Sequence, residues 1–367
     1  MAAGFAQWGN DLYTGRRSYD IVGRRKVWYT ISVVLVVISA VLLFTPGLNP
    51  GIEFRGGSEF TVSNPDSTDQ QLAIETVQSV APGESPRVST VGGSSLRIQT
   101  SELSNDQVTQ VAGALQEAFG VTQDEITSSY IGPTWGQDVS RKAVTGIVVF
   151  LLFVTVVMTI YFRNWRMAVA ALVALFHDLI ITVGIYAGVG WEVTPATVIG
   201  FLTILGYSIY DTVVVFDKVR ENTADTLQQS RFTYAEKANL AVNQTLVRSI
   251  NTSVVALLPV AAILFVGAFI LGAGTLRDIA LALFVGMLVG TFSSIFLATP
   301  LEVTLRDREP KLAEHTRKVL QARAAGTSAE GGEGEPVLVG AVHAAGQLRP
   351  GAHQGFAAQP KRRRPRR

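Results

Sequence analysis

Residues 168–189 read AVAALVALFHDLIITVGIYAGV, a run whose only acidic or basic side chains are His177 and Asp178. As a helix, such a run rises about 33 Å at 1.5 Å per residue, enough to cross a hydrocarbon core of roughly 30 Å. Five further stretches share its character: 27–44, 143–162, 195–216, 250–271 and 279–302. Hydrophobic residues make up 48% of the 367 positions and charged residues 16%. The mean hydropathy is +0.29. That balance, with the charge gathered outside a few long apolar runs, points to lipid as the solvent.

Between the first two runs lies a polar stretch long enough for a small domain. Glu59–Ser63 reads as a strand, and Asp69–Val80 as a helix with Leu72, Ile74, Val77 and Val80 on one side. Arg87–Thr90 and Leu96–Thr100 read as a hairpin around Gly92-Gly93. A second helix starts at a Ser104 or Asn105 cap, carries Val108, Val111, Leu115 and Phe119, and stops at Gly120; Glu125–Ile131 is the last strand. The order βαββαβ is that of a ferredoxin-like sandwich. The expected fold is therefore an α-helical polytopic membrane protein with six transmembrane helices and one extracytoplasmic α+β ferredoxin-like domain.

The expected division is a cytoplasmic segment (1–26), a first transmembrane helix (27–45) and the outer domain (46–138). A five-helix membrane region (139–305) with a cytoplasmic loop at 218–248 follows, then a disordered basic tail (306–367). An even number of spans puts both termini on one side. If that side is the cytoplasm, 25 of the 31 Lys and Arg residues lie there; the other six are Arg55, Arg87, Arg97, Arg141, Lys142 and Arg277. This agrees with the excess of positive charge on cytoplasmic segments. Arg16-Arg17 and Arg24-Arg25-Lys26 precede an apolar run longer than a signal core, with no small-residue cleavage site at Leu43-Phe44-Thr45-Pro46, so an uncleaved first helix is expected. The chain has no cysteine, hence no disulfides and no thiolate chemistry.

Charge inside an apolar run is informative. His177 and Asp178 fall near the centre of the third run, and Asp211 falls about five residues, roughly 7 Å, from the middle of the fourth. A carboxylate at such depth is costly unless paired, neutralised or hydrated, and by default marks a proton or ion pathway. Arg248 lies in the polar turn Val247–Ser253 through which the fifth run enters the same half of the membrane, so an Asp211–Arg248 pair that a proton can break is geometrically reasonable. A static pair joining two helices, with His177 and Asp178 bonded across the bundle, is the plainer alternative. Gly184/Gly188 and Gly286/Gly290 place small residues four apart, which permits close helix contact. The polybasic end, Lys361–Arg367, suits anionic lipid or RNA, or stays solvated with no dedicated partner.

Residues 206–222, GYSIYDTVVVFDKVREN, resemble a signature of the SecD/SecF family of the resistance-nodulation-division superfamily. Others fall in order: Leu12–Gly15, Asp20–Arg24, Gly51–Gly57 with Gly56 and Gly57, Ile131–Pro133, His177-Asp178 and Asn243–Ser253. Together they cover about residues 10–305. Glu53 stands where the family usually has Asp, and Tyr210 where it often has Asn.

The resemblance implies a SecF-type subunit pairing with SecD in a pseudo-symmetric bundle of the bacterial cell membrane. It also implies work with the SecYEG channel and SecA, preprotein substrates and a YidC-type insertase. No specific nucleic-acid partner and no cofactor other than the proton as coupling ion are expected. The family motif carries over to Gly206, Tyr207, Ser208 and Thr212, and the proton-coupling set to Asp211, Arg248, His177 and Asp178. No Walker-type phosphate loop occurs, so an ATPase, and an enzyme generally, is not expected. A small-molecule or lipid exporter of the superfamily and a passive scaffold are the competing classes.

Overall fold

The computed structural model describes residues 2–91, 94–268 and 274–329. A helix at the start, α1 (Ala2–Tyr13), leads to α2 (Arg25–Phe44), and a two-residue strand, β1 (Asn49–Pro50), precedes a single helical turn, α3 (Ile52–Arg55). The domain that follows is β2 (Gly57–Ser63), α4 (Gln70–Val80), β3 (Arg87–Val91), β4 (Ser95–Thr100), α5 (Asn105–Phe119) and β5 (Ile126–Ile131). The chain then returns through α6 (Pro133–Phe162) and α7 (Trp165–Val189). A short strand, β6 (Glu192–Val193), leads to α8 (Pro195–Thr223) and α9 (Tyr234–Ala262). Last come α10 (Gly274–Ser293), α11 (Thr299–Arg306) and α12 (Pro310–Ala329). Wider π turns at Ile263–Ala268 and Ser294–Ala298 continue α9 and join α10 to α11.

Six segments of described residues are long and apolar enough to cross a membrane, the last running from Leu276 to Arg306. The protein is a multi-pass membrane protein. Helices α7 and α8, with α10, form its interior, while α2 and α6 keep much of their valine and leucine surface open, as lipid-facing helices do. Close contact is made where the paired glycines lie. A Cβ at Gly184 would sit 2.3 Å from Ser39 Cβ, one at Gly188 2.7 Å from Leu42 Cδ1, and one at Gly286 2.2 Å from Ile204 Cδ1. Gly184 thus lets α7 approach the α2 backbone, where Ser39 Cα would lie 2.7 Å from the added Cβ, and Gly188 and Gly286 leave room for the Leu42 and Ile204 side chains.

The small domain has the βαββαβ order, with an antiparallel sheet in the order β3-β4-β2-β5. Phe60, Val62, Leu96 and Ile98 from the sheet pack with Val77, Val111, Leu115 and Phe119 from α4 and α5. Ser104 caps α5 through a capping box, and Gly120 ends it in the left-handed conformation. Its hairpin turn at Gly92-Gly93 lies outside the described residues.

Two expectations change. The interval 218–248 is not a loop: α8 runs to Thr223 and α9 starts at Tyr234, because Val219, Tyr234, Ala238, Ala241 and Val242 remain buried beyond the apolar runs. Asn239 and Asn243 of α9 also hold the segment before α2. Asn239 Oδ1 accepts from the N–H groups of Ile21 (2.9 Å) and Val22 (3.0 Å), and Asn243 Oδ1 from that of Tyr19 (2.7 Å). Nor does the chain lose structure at 306. Helix α12 opens with Pro310 at its first position and buries Leu312 and Val319. The tail beyond Ala329, including Lys361–Arg367, lies outside the described residues.

The base of the domain is tied to the α7–α8 connection. Strand β1 pairs in parallel with β6. Glu192 accepts from Gln99 Nε2 (2.5 Å) and from Arg97 Nη1 (3.2 Å), and Gln99 also donates to Glu59 (2.9 Å). Glu53 joins this acidic group with one oxygen buried and lacking a hydrogen-bond partner among the described residues. Gly51 leaves it room, since a Cβ there would lie 2.4 Å from Glu53 Oε2 and 2.9 Å from Glu192 Oε1. Gly56 (φ +80°) and Gly57 (φ +133°) then turn the chain into β2, where a Cβ at Gly57 would meet the Thr100 carbonyl at 2.4 Å.

Burial pushes the Glu53 carboxyl above its ordinary range, and the charges of Glu192 and Glu59 add to the effect. The docked state therefore binds more proton than the undocked one. Its Glu53 penalty is absent below the ordinary value of about 4.3, grows as pH rises, and is complete above the raised value. Hydrogen exchange of segment 51–57, corrected for intrinsic rates, is expected to show protection falling as pH rises from about 4, and Glu53→Gln to remove that slope. Gly184→Val should lower the detergent-phase melting temperature by overpacking α2 against α7, at a cost of about 1–3 kcal/mol.

Candidate functional site

Four helices converge on two buried carboxylates. Asp178 is fully buried near the midpoint of α7, and Asp211 is 2% exposed on α8. Asp178 Oδ2 accepts from Ser208 Oγ of α8 (2.6 Å) and from Ser293 Oγ of α10 (2.8 Å). Asp211 Oδ1 accepts from Ser249 Oγ of α9 (2.8 Å), and its Oδ2 takes a short hydrogen bond from Ser294 Oγ. Consecutive serines of one helix thus serve different carboxylates, so the Asp178 and Asp211 sites lie within about one helical turn of each other.

Position Ser294 opens the π turn that ends at Ala298. Such widened turns re-aim side chains and recur at functional sites. Gly290, one turn earlier, makes the approach possible: a Cβ there would meet Ser208 Cβ at 3.2 Å and Asp178 Oδ2 at 3.6 Å.

His177 is 5% exposed, with Nδ1 3.1 Å from Asp178 Oδ1 and its ring stacked on Phe292 at 6.3 Å between centroids. Its Nε2 is buried without a hydrogen-bond partner among the described residues. A second polar group sits beside Asp211. Tyr207 Oη donates to Ser253 Oγ (3.1 Å), Ser253 Oγ lies 2.7 Å from Thr291 Oγ1, and Ser253 Oγ also bonds the carbonyl of Ser249 (2.8 Å).

Of the residues singled out in the sequence, His177, Asp178, Asp211 and Ser208 come together, with Tyr207 at the margin. Thr212 is buried beside Asp211, while Gly206 is exposed on α8, and Gly56 and Gly57 shape the base of the outer domain. Arg248 does not reach Asp211. It is exposed, and no ion pair joins it to Asp211 among the described residues. Its neighbour Ser249 faces Asp211 instead, because one residue along a helix turns the side chain by about 100°. Ser249, Ser293 and Ser294 are the site residues that charge alone did not mark. No group of three or more His, Cys, Asp or Glu side chains that would suit a metal is found among the described residues.

Each carboxylate can be satisfied in two protonation states. A hydroxyl both donates and accepts. Ser294 Oγ has a second acceptor in the Thr291 carbonyl (3.2 Å), and Ser293 Oγ in the Gly290 carbonyl (3.1 Å). When a carboxyl carries a proton, its serine can turn its own hydrogen to that carbonyl and accept from the acid.

Residues 110–308 match the family described as "Protein export membrane protein SecD/SecF, C-terminal", and residues 41–63 match the "SecD/SecF GG Motif". A protein named protein translocase subunit SecF from Streptomyces coelicolor is 49% identical over 321 residues, covering 87% of this chain and 85% of its own. One of the same name from Mycobacterium tuberculosis is 42% identical, covering 94% and 82%. The crystal structure of SecDF, a translocon-associated membrane protein from Thermus thermophilus, superimposes with a TM-score of 0.69 at 31% identity. That match takes in 80% of this chain and 39% of the solved one, so the chain spans about two-fifths of the larger protein. By the extent of these matches, the chain belongs to the SecD/SecF family of protein-export membrane proteins.

Proposed function

We propose that the protein is an accessory subunit of the Sec protein translocase, acting with a SecD partner to use the proton gradient for preprotein movement at the SecYEG channel. It works in the bacterial cell membrane with both termini in the cytoplasm. The observation that carries this reading is the Asp178–Asp211 pair. Two buried carboxylates lie within about one helical turn of each other among the apolar spans, and Asp211 is held by serine hydroxyls alone among the described residues. Charge at such depth has to be matched by a cation or neutralised by a proton. Serine pairing permits the second at no loss of hydrogen bonds.

Proton arrival at Asp211 reverses its bond with Ser294, and proton arrival at Asp178 does the same with Ser293. Both events bear on α10, α7 and α8 together. The connection between α7 and α8 carries Glu192, to which Arg97 and Gln99 of the outer domain are bonded. A shift of α7 against α8 therefore moves the docking point of the domain, which is the part that would contact preprotein. Arg248, exposed at the same depth as Ser249, fits a face covered by SecD, since an arginine there is costly against lipid. SecA and a YidC-type insertase would be neighbours of the assembled complex, and the proton is its coupling ion.

Asp211→Asn in the assembled complex should abolish the gradient-dependent part of preprotein export into vesicles and leave the ATP-driven part. Export unchanged at matched expression would make the subunit a scaffold. Ser294→Ala should slow the gradient-dependent part about tenfold, since a hydrogen bond to a charged group is worth roughly 1.5–3 kcal/mol. The double variant Ser294→Ala with Asp211→Asn should be no worse than Asp211→Asn alone.

A further inference from the structure

At the end of the bundle opposite the sheet domain, α6 stops at Phe162 and the chain turns through Arg163 and Asn164 into α7. A cavity of about 410 Å³ opens between this turn, the last turns of α8 and the start of α12. Arg163, Arg220 and Arg306 line it with Glu309, while Met167 and Leu312 supply apolar wall.

The charges do not cancel. Glu309 is already held by two arginines, by Arg166 in a short ion pair and by Arg306 at 3.3 Å. Arg306 also lies over the Tyr234 ring at 5.1 Å and 3.7 Å from the buried Glu302. Arg163 and Arg220 make no ion pair among the described residues, and both are exposed. Two guanidinium groups thus line one cavity with no ion-pair partner among the described residues. The N-terminus of α7 opens at the same turn, with Asn164 Oδ1 occupied by the N–H of Arg166 (3.0 Å); the positive end of that helix adds to the field.

The depth of the cavity identifies the anion. Tyr161 and Trp165 flank the turn and are 50% and 59% exposed, the position that aromatic side chains take at the level of lipid headgroups. Arginine matches phosphate oxygens in a planar, two-pronged geometry. A phosphate at this level, with apolar wall beside it for glycerol and the first methylenes, belongs to a lipid.

We propose that this cavity binds the phosphodiester of an anionic phospholipid, with Arg163 and Arg220 as its principal contacts. The inference needs only that the protein spans a membrane and does not rest on the proton-coupling reading. Bound lipid would fill the gap between the α6–α7 turn and α12.

The test is native mass spectrometry of the full chain released from bilayers of phosphatidylglycerol and phosphatidylcholine. The variants are Arg163→Asn with Arg220→Gln, Arg163→Lys with Arg220→Lys, and a control, Lys26→Gln with Arg317→Gln, that removes the same charge elsewhere. Asparagine suits position 163 because the residue there has φ +50°. The Asn/Gln variant should retain phosphatidylglycerol about tenfold or more less well than the native chain, on the scale of basic residues at a membrane surface. The lysine variant should keep most of it, and the control should match the native chain. Equal retention by the Asn/Gln variant and the native chain overturns the site, as does equal retention of phosphatidylcholine. Displacement of the lipid by millimolar inorganic phosphate would assign the cavity to free phosphate and overturn the lipid reading.

Discussion

A carboxylate at mid-membrane depth has only what neighbouring helices bring to it, and this constraint organises the bundle. Asp178 and Asp211 draw hydroxyls from α8, α9 and α10 at 2.6–2.8 Å, so the spacing of four helices follows from bonds of that length. Glycines appear where side chains of facing helices take the room, at Gly290 beside Ser208 and Asp178 and at Gly286 beside Ile204. Glu302 shows the other solution. It is fully buried too, but it takes a hydrogen bond from Tyr234 Oη (2.6 Å) and has Arg306 at 3.7 Å. Glu302 thus ties the start of α9 to the end of the last span through a tyrosine and an arginine, whereas Asp211 is held by serine hydroxyls alone among the described residues.

The outer domain is attached by a different kind of contact. Arg97, Gln99, Glu59 and Glu192 are partly buried and make a small network around the α7–α8 connection. Ion pairs in such settings add little net stability, because desolvation offsets most of the attraction. What they add is direction: β1 on β6 and Glu192 on Arg97 fix how the sheet stands on the connection between the two acid-bearing helices. The apolar core of the domain, around Phe60 and Phe119, stays separate from the bundle, so the domain can move as a unit when its base does.

How much of this was legible follows from the physics of each signal. Six spans and a βαββαβ domain declare themselves through run length, 3.6-residue periodicity and end signals such as Ser104 and Gly120. His177, Asp178 and Asp211 stand out because charge in an apolar run is costly. Ser249, Ser293 and Ser294 do not, because serine in a membrane helix is cheap and common, and its role here depends on the mutual rotation of three helices. The π turn at Ser294–Ala298 has no local signature either. The same limit explains Arg248: charge and depth placed it near Asp211, but helix phase, which a span boundary does not define to one residue, gives the contact to Ser249. Helix α12 and the ends of α8 and α9 escaped hydropathy because they are held by packing in water, where apolar run length has no meaning.

The outward position of Arg248 bears on how much of the proton pathway one chain contains. Ser249 touches Asp211, and Arg248 lies one step along α9, so its Cα is within about 1.5 Å of the same depth. Asn251 and Tyr210 are exposed nearby. An arginine and an asparagine at that depth are poor lipid-facing residues, and Arg cannot shed its proton to become a good one. In the proposed assembly with SecD, that face becomes an interior. On that proposal the fixed cation stands about 100° around α9 from Ser249, the residue that bonds Asp211, and a proton-dependent force on α9 would act through Ser249 and through the Tyr207–Ser253–Thr291 contacts beside it.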